Sequence, residues 1–130
     1  MIVCRRVVHV PQGERQRFRA WIEENRRLRE RHGILFELVL EQSPRQNPAK
    51  TLQLTEPESA EDGELVVATA WGSHDTFDAW IDTPERDRLT DSEVHRLVRY
   101  GPITRYDVVG GYLNLDGLSA VAEPLKEERP

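Results

Sequence analysis

One segment of this chain occurs twice. Val7-Val8-His9-Val10-Pro11-Gln12-Gly13 leads into Phe18-Arg19-Ala20-Trp21-Ile22. Fifty-nine residues later, Val66-Val67-Ala68-Thr69-Ala70-Trp71-Gly72 leads into Phe77-Asp78-Ala79-Trp80-Ile81. No gap is needed, and seven of the sixteen positions in 7–22 are identical. A β-branched run reads as a strand, and apolar residues at i, i+3 and i+4 read as one stripe of a helix. Strand–helix therefore appears twice in the same phase, which predicts a duplicated scaffold. A duplicated scaffold narrows the fold without fixing the function, because site residues need not be copied with it.

The remaining elements fit that frame. Residues 2–10 read as strand one, ended by Pro11. Residues 12–32 read as one long helix, with Gly33 as its stop. Residues 34–41 form strand two, in which Ile34, Phe36, Leu38 and Leu40 alternate with Leu35, Glu37, Val39 and Glu41. Residues 65–71 are strand three. Ser73 or Asp75 can cap the helix that follows, Pro84 interrupts it, and Asp91 or Ser92 can cap a further helix over 93–100. Strand four is expected over 103–112. Residues 43–63, with three prolines and an acidic run, read as a long loop or arm that includes a short alternating stretch, Thr51 to Thr55. Residues 113–130 read as an extension, frayed in part or crossing to a partner chain. The order β-α-β-β-α-(α)-β predicts an α+β, ferredoxin-like domain over 1–112, a split β-α-β unit with a four-stranded antiparallel sheet.

The strands are apolar on both sides. Ile2, Cys4, Val8 and Val10 oppose Val3, Arg5, Val7 and His9, while Leu65, Val67 and Trp71 oppose Val66, Ala68 and Ala70. Helices cover one side of such a sheet. With 130 residues there is no spare element for the other, so a second copy is the expected cover. The net charge of −5 argues against nucleic acid as a partner. The arginine-rich stretch 15–31 is interleaved with glutamates; Arg19–Glu23, Glu23–Arg27 and Arg26–Glu30 have the spacing of a solvated, ion-paired face. No run approaches the ~20 apolar residues of a membrane span. The start of the chain lacks the layout of a secretion signal, and the single cysteine, Cys4, cannot form an internal disulfide; together these give a cytoplasmic expectation.

The stretch from Trp71 through Gly72-Ser73-His74-Asp75-Thr76-Phe77-Asp78-Ala79-Trp80 to Glu85 resembles the signature of antibiotic-biosynthesis-monooxygenase-like proteins, in the dimeric α+β barrel superfamily. The resemblance covers residues 1–112. It implies a homodimer whose sheets face one another, with a pocket between each sheet and its helices. It also implies activities that include cofactor-free oxygenation of polycyclic phenols, haem degradation and isomerisation, alongside many members with no demonstrated reaction. The haem-degrading branch would have an Asn in strand one and an axial histidine ten residues after the tryptophan that matches Trp80. Here that position is Thr90 and strand one has no Asn, so the resemblance implies first a cofactor-independent monooxygenase-like protein acting on a small aromatic or polyketide-like substrate; the alternatives are a non-catalytic ligand-binding or structural homodimer and, with less weight, a haem-binding or haem-degrading protein.

Such an oxygenase needs a base or hydrogen-bond partner and aromatic walls. His9, titratable and set among valines, is the candidate base; the competing reading is a packed interface histidine. Arg5 and Arg6 point to opposite faces, so one of them can hold a phenolate or carboxylate from inside, or form a dimer salt bridge. Trp71 is a candidate pocket wall because its repeat partner is Gln12. Trp21 and Trp80 are repeat-related, which favours packing. Arg105, Tyr106 and Tyr112 are candidate substrate contacts on strand four. The four histidines lack metal-site spacing, so no metal is expected.

Overall fold

The protein is described by a computed structural model covering residues 1–43 and 64–117. The expected loop 43–63, apart from Ser43, and residues 118–130 lie outside the described residues. In chain order the elements are β1 (Ile2–His9), α1 (Arg15–Glu24), α2 (Arg26–Arg31), β2 (Ile34–Leu40) and β3 (Glu64–Trp71). They continue with α3 (His74–Ile81), α4 (Pro84–Leu89), α5 (Glu93–Leu97), β4 (Arg99–Tyr100) and β5 (Thr104–Asp107). The sheet is antiparallel in the order β2-β3-β1, with β4 and β5 both paired to the free edge of β1. This is the ferredoxin-like arrangement predicted from the repeat.

Four details differ from the expected elements. The fourth strand is broken in two at Gly101-Pro102, since Pro102 has no N–H to give to the ladder. Gly101 keeps contact by donating its N–H to the Val7 carbonyl at 2.8 Å, and a Cβ on it would lie 3.0 Å from that oxygen. Tyr112 is not a partner of Tyr106 on a strand, because β5 stops at Asp107 and Tyr112 is 88% exposed beyond it. The long helix splits at Asn25, whose side-chain amide donates to the Trp21 carbonyl at 2.8 Å and competes with the helical ladder. Finally, β2 has a bulge between Ile34 and Phe36, so Ile34 faces the same side as Glu37 and Val39. Phe36, Leu38 and Leu40 face the other side.

Caps hold the helices of the second half. The Ser73 hydroxyl accepts from Thr76 N–H at 3.1 Å, that of Thr83 from Arg86 N–H at 3.2 Å, and that of Ser92 from His95 N–H at 3.1 Å. Each satisfies one orphan donor of a helix start. Gly33 follows α2 at φ +95°, the left-handed conformation that a helix end favours in glycine.

All the helices lie over the side of the sheet that carries Ile2, Cys4, Val8 and Val10, and there the core forms two clusters. One gathers Val8, Val10, Phe18, Leu65 and Val98, with Trp21 and Ile22 of α1 against it. The other gathers Ile2, Cys4, Trp71, Phe77 and Trp80, with Ile81 of α3 against it. The two copies of the F-x-A-W-I stripe thus each seed one cluster. The opposite face carries Val3, Val7, Phe36, Leu38, Leu40, Val66 and Ala68 without a covering element among the described residues. Leu38 and Leu40 are each 46% exposed there.

Candidate functional site

Between the sheet and the helices lies a partly open cleft of about 120 Å³. Its position follows from the alternation along β1. Cys4 and Arg6 point under the helices, and Arg6 is an uncommon residue to find there. Val67 and Thr69 of β3 pair across from them and share that face. Trp71, Phe77 and Trp80 form the aromatic wall, with Trp71 and Phe77 ring centroids 5.3 Å apart and Trp71 and Trp80 stacked at 6.3 Å. Trp71 is 1% exposed, and its indole N–H donates to the Thr69 hydroxyl at 3.0 Å, so the ring is held in place. His32 packs on the outer face of Trp80 at 5.2 Å and bonds to Glu85 at 2.5 Å.

Four arginines, Arg5, Arg6, Arg29 and Arg86, also line the cleft. Arg29 is neutralised. It is buried on α2, donates to the Ile22 carbonyl at 2.6 Å, and pairs with Glu37 of β2 at 2.6 Å. Burial pushes the Glu37 carboxyl up from its usual range, and Arg29 opposes that shift. Arg6 donates through Nε to the Gly101 carbonyl at 2.9 Å, and its guanidinium lies 5.0 Å from the Tyr100 ring centroid. Burial lowers the proton affinity of Arg6, and the neighbouring charge of Arg86 lowers it further. Neither Arg6 nor Arg86 has an ion pair among the described residues. The far face of Tyr100 stacks on His95 at 4.7 Å, and burial raises the phenol to about 12, so it stays protonated. Burial likewise raises the Cys4 thiol.

The candidates from the sequence divide into two groups. Arg5, Arg6 and Trp71 all line the cleft, Arg5 as an exposed residue whose strand position faces the other side of the sheet. His9 lies at the end of β1 on that opposite face, across from Glu64 and Arg99, and does not line the cleft. Tyr106 sits on the same open face, paired with Val3. Arg105 is spent elsewhere: it donates to Asp78 at 2.6 Å and to His74 at 3.2 Å, and it lies 4.7 Å from the Phe77 ring centroid. Asp107 bonds to His74 rather than to an arginine. Sequence reasoning missed Arg29, Glu37 and Arg86. Glu37 was visible as the acidic residue of an otherwise apolar strand.

No family model and no curated relative matches the chain. Solved structures do. MhuD, a haem degrader from Mycobacterium tuberculosis solved with two haems bound in its active site, aligns over 86% of this chain and 99% of its own, at 18% identity and TM-score 0.59. SnoaB, a cofactor-independent oxygenase from Streptomyces nogalater, aligns as a mutant over 85% and 95%, at 13% identity and TM-score 0.60. A structure described as an antibiotic biosynthesis monooxygenase aligns over 85% and 100%, at 13% identity and TM-score 0.57. The chain has the fold of these proteins. They differ in cofactor use, so the chemistry must be read from the residues.

Those residues fit haem poorly. No histidine lines the cleft, and Thr90, ten residues after Trp80, is exposed and donates its hydroxyl to the Asp87 carbonyl at 2.6 Å. Among the described residues no group of three or more His, Cys, Asp or Glu could hold a metal ion. No helix among them is long and apolar enough to cross a membrane.

Proposed function

We propose that this chain is an oxygenase-type protein that works without a cofactor, and that its sheet–helix cleft takes a small aromatic substrate. The observation that carries the reading is the three-ring wall of Trp71, Phe77 and Trp80 around a space of about 120 Å³. Apolar cavities of about 150 Å³ admit a benzene ring, and a cleft of about 120 Å³ that is open on one side has room for one ring and no more. A phenol that ionises there becomes an electron-rich ring. Reaction with O₂ places one oxygen atom on a ring carbon and releases the other as water, converting the phenol to a quinone with no outside reductant. The chain's part is to hold the ring flat, keep water away and favour the ionised form.

A second reading, a ligand-binding protein without catalysis, is favoured by one observation. Among the cleft's lining groups the Cys4 thiol is raised by burial, and Glu37 beside them is held by Arg29. Neither is poised as a base, so proton removal would rest on the substrate's own acidity. In both readings two copies pack their open sheet faces together, which covers Val3, Val7, Phe36, Leu38 and Leu40; any role for His9 then lies at that interface.

An oxygen electrode tests the choice. With a panel of mono- and dihydroxybenzenes, the oxygenase reading expects protein-dependent uptake of one O₂ per quinone formed. It also expects loss of uptake in Thr69→Phe, which places a ring in the cleft. Binding of the same compounds with no O₂ uptake contradicts catalysis and supports the binding protein.

A further inference from the structure

We infer that the ligand of the cleft is a monocyclic aromatic anion, an aryl carboxylate, received by Arg6 and Arg86. The inference rests on the reading of the cleft as an aromatic-ligand site and specifies what that ligand carries. Five arginines find acids: Arg15 pairs with Glu41, Arg17 with Glu93, Arg26 with Glu30, Arg29 with Glu37 and Arg105 with Asp78. Among the described residues Arg6 and Arg86 have no such partner although both line the cleft, and no acidic side chain lines it with them; Arg5, the other unpaired arginine at the cleft, is exposed on the opposite face of β1. Two like charges beside a buried aromatic wall raise the free energy of the empty site. An anion between them relieves that cost.

Arg6 is also prepared for the task. Its Nε donates to the Gly101 carbonyl at 2.9 Å and its guanidinium lies over Tyr100, which fixes the side chain, and among the described residues neither terminal nitrogen has a hydrogen-bond acceptor. A planar guanidinium with two free N–H groups matches the two oxygens of a carboxylate. The size of the cleft limits the rest of the ligand to one ring, set against Trp71, Phe77 and Trp80. Burial, and after it the neighbouring charge of Arg86, lowers the proton affinity of Arg6, in keeping with a site that gains from negative charge.

The test compares benzoate with benzamide, which has the same shape and no charge, by calorimetric titration of the full-length protein. Benzoate should bind at least about tenfold more tightly. Arg6→Met and Arg86→Met should each weaken benzoate by about ten- to a hundredfold while leaving benzamide nearly unchanged. Arg19→Met, on the exposed face of α1, should change neither. Equal binding of benzoate and benzamide would overturn the anion site and leave the aromatic cleft standing. Failure of both to bind would overturn the cleft reading as well. If Arg6→Met does not fold, Arg86→Met and the benzoate-to-benzamide ratio in the unaltered protein still decide.

Discussion

The two halves of the molecule share a scaffold and differ where it matters. Phe18, Trp21 and Ile22 in the first half and Phe77, Trp80 and Ile81 in the second occupy repeat-equivalent positions, and each set packs one core cluster. Three other pairs have diverged. Gln12 is exposed, while its counterpart Trp71 is buried at the heart of the second cluster. Glu14 gives α1 no side-chain cap, whereas Ser73 caps α3. Arg6 and Leu65 lie on the same face of equivalent strands, yet Leu65 is core and Arg6 reaches the cleft. The aromatic wall of the cleft belongs to the second half, with Trp71, Phe77 and Trp80, and the first half contributes Arg6 where its repeat counterpart is apolar. Symmetry supplies the frame, and the departures from it supply the site.

That comparison can be broken most forcefully at the 12/71 pair. Trp71→Ala should cost about 3–5 kcal/mol, whereas Gln12→Ala should stay within about 0.5 kcal/mol. Urea unfolding followed by circular dichroism checks both, and equal effects would show that the halves are not differently packed. Next comes the polar strip between the clusters. Glu37→Leu leaves Arg29 buried without its partner and should cost about 3 kcal/mol, while the double variant Glu37→Leu/Arg29→Met should recover most of that loss. A double variant no better than the single would mean that the pair is needed for itself. The smallest effect is at the caps. Ser73→Ala should cost about 1 kcal/mol, and Glu14→Ser should add a few tenths by giving the first helix the cap it lacks.

Much of this was legible because periodicity survives in the sequence. The repeat fixed the phase of both helices, and the alternation in β1 put Arg5 and Arg6 on opposite faces, as the structure has them. Local events broke the pattern where it failed. The bulge at Leu35 moved Ile34 to the other face of β2, Asn25 divided the first helix, and Pro102 cut the last strand short of Tyr112. The site was half legible. Trp71 stood out by its missing repeat partner. Alternation says which residues share a face, not what covers it: the stripe of Ile2, Cys4, Val8 and Val10 takes the helices, and His9 is on the other side. Arg29 and Arg86 were hidden among many exposed arginines, since charge spacing along a helix does not reveal which member turns inward to a strand.

A crystal structure of the protein grown with benzoate tests the central claim most directly. The account predicts one ring against Trp71, Phe77 and Trp80, with its carboxylate on Arg6 and Arg86. A cleft closed by its own side chains, or a ring bound instead on the open sheet face beside His9, would contradict it.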